Sequence, residues 1–320
     1  DSATLSRATA AEVYSQIEAD LQAAIAALPA AKSTDGRATS FTAHALLGKV
    51  YLYQDKFSEA ASILEPLVGL YSLVPDLQNV FLTSGENGPE SVFEVQHSKN
   101  SNWWDWGFPQ GSEGSFGIIH HGPRGYNGGV YSSGWSFNVP TQDLYDAYSD
   151  GDSRRDVAIL DIVAWAAATG AEYSEGYEHT GYFNHKYIPR AGSTASQGEL
   201  NYENNFRAIR YSDVLLMAAE ANNRKTSADD AKAQNYLNQV RARAFGNASQ
   251  ASTSTGATLT QEIWDERRLE FAMEGHRFFD LVRTGEAAAK ISGFVSGKHE
   301  VFPIPQTEID ISGLTQNPGY

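Results

Sequence analysis

Cysteine is absent from this 320-residue chain, which excludes disulfides, thiol catalysis, zinc–thiolate sites and a lipidated cysteine within the stretch. Basic residues are scarce. Against 39 acidic side chains stand 24 Lys and Arg, a formal net charge of −15, and no basic run exceeds two residues. Such a field repels phosphate backbones and argues against nucleic-acid binding. No apolar run approaches the roughly eighteen residues that a membrane-spanning helix needs. The opening DSATLSRATAAEVY lacks the basic and apolar regions of a signal peptide, although removal of a leader from a precursor would leave the same start.

What is present is a globular composition, 41% hydrophobic and 20% charged, long enough for one large domain or two ordinary ones. The clearest helix is predicted over 9–28, where Val13, Ile17, Leu21, Ile25 and Leu28 recur at helical spacing and Pro29 ends the run. Thr9 as N-cap and Glu12 three residues later form a capping box. Residues 40–70 give two further helices joined at Asp55 and Lys56, with the tetratricopeptide layout: Leu47, Gly48 and Tyr51 on the first, Phe57, Ala60 and Leu64 on the second. Gly48 and Ala60 allow close approach, while Leu47, Tyr51 and Leu64 fill the seam. A weaker pair is expected over 208–244, and stacked pairs call for further neighbours to cover their open faces. SVFEVQH at 91–97 reads as a strand with Val92, Phe93 and Val95 as its apolar members. Glycine-rich, aperiodic stretches at 98–140 and 169–206 read as long ordered loops, the kind that carry function. A last helical block covers 259–291, followed by the extended VFPIP.

The stretch QEIWDERRLEFAMEGHRFFDLVRTG closely resembles the signature of the SusD/RagB family, the surface glycan-binding lipoproteins of Bacteroidetes. Four other segments resemble the same family in the same order: GRATSFTAHALLGKVYLYQDKFSEAA, GWSFNVPTQDLYDAYSDGDSRRD, FRAIRYSDVLLMAAEA and VFPIPQTEIDISGLTQNPGY. The resemblance implies a mainly α fold with tetratricopeptide-like helix pairs, long irregular loops and a few short strands. It implies a single domain, with a helical repeat part at 1–90, a loop-rich glycan-facing part at 91–206 and a helical C-terminal part at 207–320. The family's N-terminal segment, which bears the lipidated cysteine, is not matched, so the chain is expected to be the C-terminal part of a longer protein anchored outside this stretch. Also implied are an outer-membrane, extracellular location, a SusC-like TonB-dependent transporter as partner, and delivery of oligosaccharide without catalysis or cofactor.

Glu266, Glu270 and Glu274 fall at four-residue spacing among Arg267, Arg268 and Arg277. A glycosidase needs two carboxylates opposed across a bond, and a single stripe does not provide that. Ion pairs such as Asp265–Arg268 and Glu274–Arg277 are the expectation. Asp150, Asp152 and Asp156 in SDGDSRRD are spaced like calcium ligands, but the loop's glycine and terminal glutamate are missing, so a turn into a helix with Asp–Arg pairs is expected. Adjacent His120 and His121 have no third ligand at metal spacing. Neither a nucleophile motif nor a phosphate-binding glycine loop occurs.

The remaining candidate is KNSNWWDWGFPQG, three tryptophans in a polar loop. A pyranose presents an apolar C–H face, which an indole matches, and a hydroxyl rim, which Asn, Asp, Gln or His can bond. Trp103, Trp104, Trp106, Tyr126 and Tyr131, interleaved with Asn102, Asp105, Gln110, His120 and Asn127, form the candidate glycan site, while Trp135 is assigned to the scaffold. Side chains alternate along an extended chain, so Trp103 and Trp104 are expected to divide, one packing and one exposed, with Trp106 on the side of Trp104. Lys99 and Arg124 are the only cations over 98–135, against Asp105 and Glu113, which favours a neutral glucan such as laminarin over alginate, pectin or a sulfated glycan. Two other readings stay open: a protein-interaction scaffold whose tryptophans are structural, and a glycoside hydrolase.

Overall fold

The computed structural model describes residues 6–100, 113–194 and 201–320. Helix α1 (Ala10–Ala27) opens on the expected box: Thr9 Oγ1 accepts from the Glu12 N–H, and the Glu12 carboxylate accepts from the Thr9 N–H. Thr39 and Thr42 cap α2 (Ser40–Leu52) in the same reciprocal way. Asp55, left-handed at φ 56°, then reverses the chain into α3 (Phe57–Leu64). The α2–α3 seam follows the repeat pattern, with Leu47, Ala60 and Leu64 out of water. Gly48 is the point of closest approach, since a Cβ there would lie 2.4 Å from Leu64 Cδ2. Only hydrogen fits.

A short α4 (Gln78–Phe81) leads to β1 (Ser91–Val95), and β2 (Arg124–Asn127) follows the long loop. Next come α5 (Gln142–Asp146), α6 (Arg154–Ala158), β3 (Ile159–Asp161), α7 (Ile162–Thr169), β4 (Glu172–Ser174) and β5 (Tyr182–Asn184). The chain continues with β6 (Phe206–Arg210), α8 (Tyr211–Arg224), α9 (Asp230–Phe245), α10 (Gly256–Glu270), α11 (Arg277–Arg283), α12 (Ala287–Lys290) and α13 (Gln306–Ser312). The strands form three antiparallel pairs, β1–β6, β2–β4 and β3–β5.

Helices α1, α2, α3, α8 and α9 pack each on the next, with α10 laid against α8 and α9. One hydrophobic core runs through this array, from Ala45 on α2 to Phe271 beyond α10. Every residue of α8 from Tyr211 to Asn223 is buried, so the pair expected to be the weaker is the centre of the array. Its start also moves. Ala208 to Arg210 lie in β6, and the helix begins at Tyr211, because pairing with β1 holds those residues extended. β1 departs from simple alternation as well. Register irregularities after Ser91 and Phe93 turn Glu94 inward and leave Val95 exposed. The buried Glu94 carboxylate is met by Asn87 N–H and Asn205 Nδ2.

The glutamates of the ERRLEFAMEGHR stretch are ion-paired, but not with the helix neighbours that spacing suggests. Glu266 meets Arg154 and Arg241; Glu270 meets Arg154, Arg210 and Arg243; Glu274 meets Arg210 and Lys186. The expected Asp265–Arg268 and Glu274–Arg277 pairs are not formed: Arg268 reaches Asp143 instead. α10 ends at Glu270, and the turn through Met273 (φ 66°) and Gly275 (φ 85°) redirects Glu274 inward, away from its i+3 neighbour. In SDGDSRRD, Asp152 accepts from Arg154 at the start of α6, the expected Asp–Arg turn.

Candidate functional site

The Ser98 N–H donates to the Glu113 carbonyl at 2.9 Å, which brings the two ends of the tryptophan-rich segment together. Asn102, Trp103, Trp104, Asp105, Trp106 and Gln110 lie outside the described residues. Of the two loop cations, Lys99 is committed to the Glu203 carboxylate at 2.9 Å and the Gly192 carbonyl at 2.8 Å. Arg124 donates to the Trp135 carbonyl at 3.0 Å.

Downstream of Glu113, a 3₁₀ turn at Ile118–His121 plants Ile118 and Ile119 in a small core with Leu77, Val80, Phe81, Tyr187 and Tyr202. That anchoring leaves His120 half-buried among neighbouring rings. Two backbone bonds zip the turn to the following stretch, Trp135 N–H to Ile119 O and Phe137 N–H to His120 O, each at 2.8 Å. Ser136 (φ 58°) and Asn138 (φ 50°) are both left-handed, and Phe137 stands out from the surface between them. The result is an aromatic cluster about His120. Its ring centroid lies 4.9 Å from Phe116, 5.0 Å from Trp135 and 5.9 Å from Phe137. Phe116 is 47% and Phe137 53% exposed, a large apolar area to leave in water. Trp135 packs partly buried against the core beneath, in keeping with its scaffold assignment.

The structure separates the other aromatic candidates from this surface. Tyr126 and Tyr131 are 8% and 6% exposed, within a core that also holds Leu160, Ile162, Phe183 and Ile188. Tyr126 OH accepts from Trp165 Nε1 at 3.0 Å, and Tyr131 OH lies 2.9 Å from His185 Nε2. Their rings therefore hold the β2–β4 region to the body and offer no face to a sugar, against expectation. Asn127 ends β2 opposite Glu172 and is exposed. His120 and His121 diverge. His121 is packed towards Tyr187, and burial, followed by the charge of His120, pushes its pKa down to about 4, so it is neutral at pH 7.

Phe116 and Phe137 were not singled out from sequence. Phe116 stands four residues before His120, and Phe137 two after Trp135, the ring assigned to the scaffold. The available signal was an apolar ring placed between small or polar residues, which a core has no use for.

A family model described as the SusD family matches residues 160–301, and one described as "Starch-binding associating with outer membrane" matches residues 1–52. Among solved structures, a laminarin-binding SusD-like protein is 41% identical, with a TM-score of 0.87 over 98% of this chain and 70% of that one. The chain belongs to the SusD family. It is also similar to surface glycan-binding protein A from Bacteroides thetaiotaomicron, solved in complex with laminarihexaose: 31% identity and a TM-score of 0.86 over 97% of this chain and 71% of that one. SusD-like protein P2 of Formosa agariphila is 28% identical over 97% of the chain. The chain spans 65% of that protein's length and 55% of the length of a second Formosa relative, SusD-like protein P25.

Proposed function

We propose that this chain is the glycan-capturing portion of a non-catalytic protein on the outer face of an outer membrane. It takes up a neutral glucan such as laminarin and hands it to a SusC-like TonB-dependent transporter. The observation that carries this reading is the pair of exposed rings, Phe116 and Phe137, set about half-buried His120 a few residues from the end of the tryptophan-rich segment. Aromatic faces stack on pyranose C–H faces, and the His120 ring adds a polar contact for the hydroxyl rim. Trp103, Trp104 and Trp106, with Asn102, Asp105 and Asn127, are assigned further sugar contacts on the chemistry of their side chains alone. Tyr126 and Tyr131, buried in a separate core, take no part in the platform. The likeness to proteins whose names record laminarin and laminarihexaose supports the choice of a neutral glucan. A shallow platform of this kind binds short oligosaccharides with micromolar or weaker affinity.

Absence of catalysis is supported by where the acidic groups are spent. Glu266, Glu270 and Glu274 are buried against arginine and lysine, and are not opposed across an open cleft. A glycosidase pair must face a space for sugar and water.

Calorimetric titration with laminarihexaose and with alginate oligomers tests the reading. Binding to the glucan, and its loss in the Trp103→Ala, Trp104→Ala, Trp106→Ala triple variant, is the expected result. Tight alginate binding without glucan binding would remove the neutral-glucan assignment, and retention unchanged by the triple variant would favour a protein-interaction scaffold. Release of reducing ends from a polysaccharide panel would mark a hydrolase.

A further inference from the structure

A cavity of about 730 Å³ opens among the Asn138–Leu144 stretch, the turn after α10, α11 and the end of α12. That volume lies within the range of small-ligand sites. Phe278, Leu281 and Ile291 give it an apolar wall, and Arg268, Arg277 and Lys290 bring three cations to one hollow. In a chain of net charge −15 this concentration is out of character. Arg268 is answered by Asp143, which lines the same cavity. The side chains of Arg277 and Lys290 make no hydrogen bond or ion pair with any described residue. Arg277 is half-buried, and burial followed by the charge of Arg268 depresses its pKa despite the nearby carboxylates of Glu286, Asp280 and Asp265. Asp280 is already engaged by Arg267 and Arg283. A half-buried cation without a partner is a cost that an incoming anion relieves.

Polar groups with hydrogen-bonding capacity not spent on described residues share the wall. The Asn138 amide makes no bond to a described residue, and the Thr141 hydroxyl, which accepts from the Leu144 N–H at 3.2 Å, keeps its own proton to donate. Two lining residues, Asn138 (φ 50°) and Met273 (φ 66°), are left-handed without being glycine, a strain that gathers at ligand sites.

We propose that this cavity binds an acidic sugar, its carboxylate held by Arg277 and Lys290 and its hydroxyls by Asn138 and Thr141. A guanidinium matches a carboxylate in a planar, two-bond contact, and an ammonium adds a point charge. Asn138, Thr141 and Lys290 are exposed, so water meets them where no ligand does. An apolar acid would displace that water without replacing its bonds to the amide and hydroxyl, and a neutral sugar would leave half-buried Arg277 without an anion. Asn138 directly follows Phe137, so the cavity begins one residue from the aromatic cluster. The site does not depend on the neutral-glucan reading. It adds a place for an acidic substituent, built from cations that lie outside the loop.

The test is calorimetry of the whole chain with sodium glucuronate, alongside glucose and sodium acetate. Glucuronate is expected to bind roughly tenfold more tightly than either control, and Lys290→Gln and Arg277→Gln are each expected to weaken it by about tenfold. Lys290 is exposed, so its substitution leaves the fold intact even if Arg277→Gln does not. Laminarihexaose titrated into the Lys290→Gln protein reports the aromatic platform separately. Equal glucuronate affinity in Lys290→Gln and the parent chain overturns the proposal, as does acetate binding as tightly as glucuronate, or no glucuronate binding at about 10 mM.

Discussion

Arg210 Nη1 lies 2.9 Å from Glu270 Oε1, and both side chains are all but closed to water. The arginine closes β6, and the glutamate closes α10. Around them Glu90, Glu274, Arg154, Arg243 and Lys186 complete an alternating set of buried charges. Removing one member leaves its partner buried and uncompensated, at about 3–5 kcal/mol. Glu270→Gln and Arg210→Met are each expected to lower the thermal midpoint sharply in a calorimetric scan. The double variant should cost less than the sum of the two, and simple additivity would show that the pair is not coupled.

The same set predicts a response to acid. Burial opposes ionisation of Glu270, Glu274, Asp213 and Asp280, but the facing cations prevail and hold these carboxyls below their ordinary range. Stability from such groups is present above the unfolded carboxyl range and is lost as pH falls towards the folded values. Two histidines act earlier. Burial pushes His121 and His276 down to about 4 from 6.5, so the unfolded chain takes up protons that the folded chain refuses. Stability should therefore begin to fall below about pH 6.5, before the carboxylates contribute. His121→Phe should reduce the loss of unfolding free energy between pH 6.5 and 4 by on the order of 1–3 kcal/mol, read from urea titrations at each pH. An unchanged slope would mean that His121 titrates freely.

Gly48 permits no side chain, because a Cβ would press on Leu64 Cδ2 at 2.4 Å. Gly48→Ala is expected to destabilise by about 1–3 kcal/mol in urea titrations, despite alanine's better helix propensity. Adding Leu64→Ala should relieve the clash, so that this second substitution costs less in the Gly48→Ala variant than in the parent chain.

At the aromatic surface, the two rings exposed by the structure and the two rings buried by it should behave oppositely. Phe116→Ala with Phe137→Ala is expected to weaken laminarihexaose binding by roughly tenfold with little change in stability, since both rings already meet solvent. Tyr131→Phe removes the bond to His185 and should cost about 1 kcal/mol of stability while leaving affinity intact. A reversed pattern, with binding lost only in the tyrosine variant, would return the sugar to the site first expected from sequence.

Local signals were legible where local physics decides. The Thr9–Glu12 box, the helix junction at Asp55 and Lys56 and the small residue at Gly48 act through neighbours three or four positions away, or through the repeat they open. Positions decided by distant partners were not. Ala208 to Arg210 read as helix until β1 pairs with them, and Glu274 reads as a partner for Arg277 until the turn at Met273 redirects it. The aromatic candidates divided for the same reason. Tyr126 and Phe137 have similar surroundings in sequence, and only the packing of Trp165 and Ile162 against Tyr126 separates support from surface.

The hydrogen bond from Ser98 to Glu113 also bears on how such a protein changes over generations. The ends of the intervening segment are joined by the body of the protein, and lengthening a closed loop adds only about 0.6 kcal/mol per doubling. Substitutions, and even insertions, between these two anchored ends are therefore expected to add little to the cost of folding. On the proposed assignment of sugar contacts to this segment, ligand preference can drift from one polysaccharide to another by exchange of residues between the two joined ends, without redesign of the helical array.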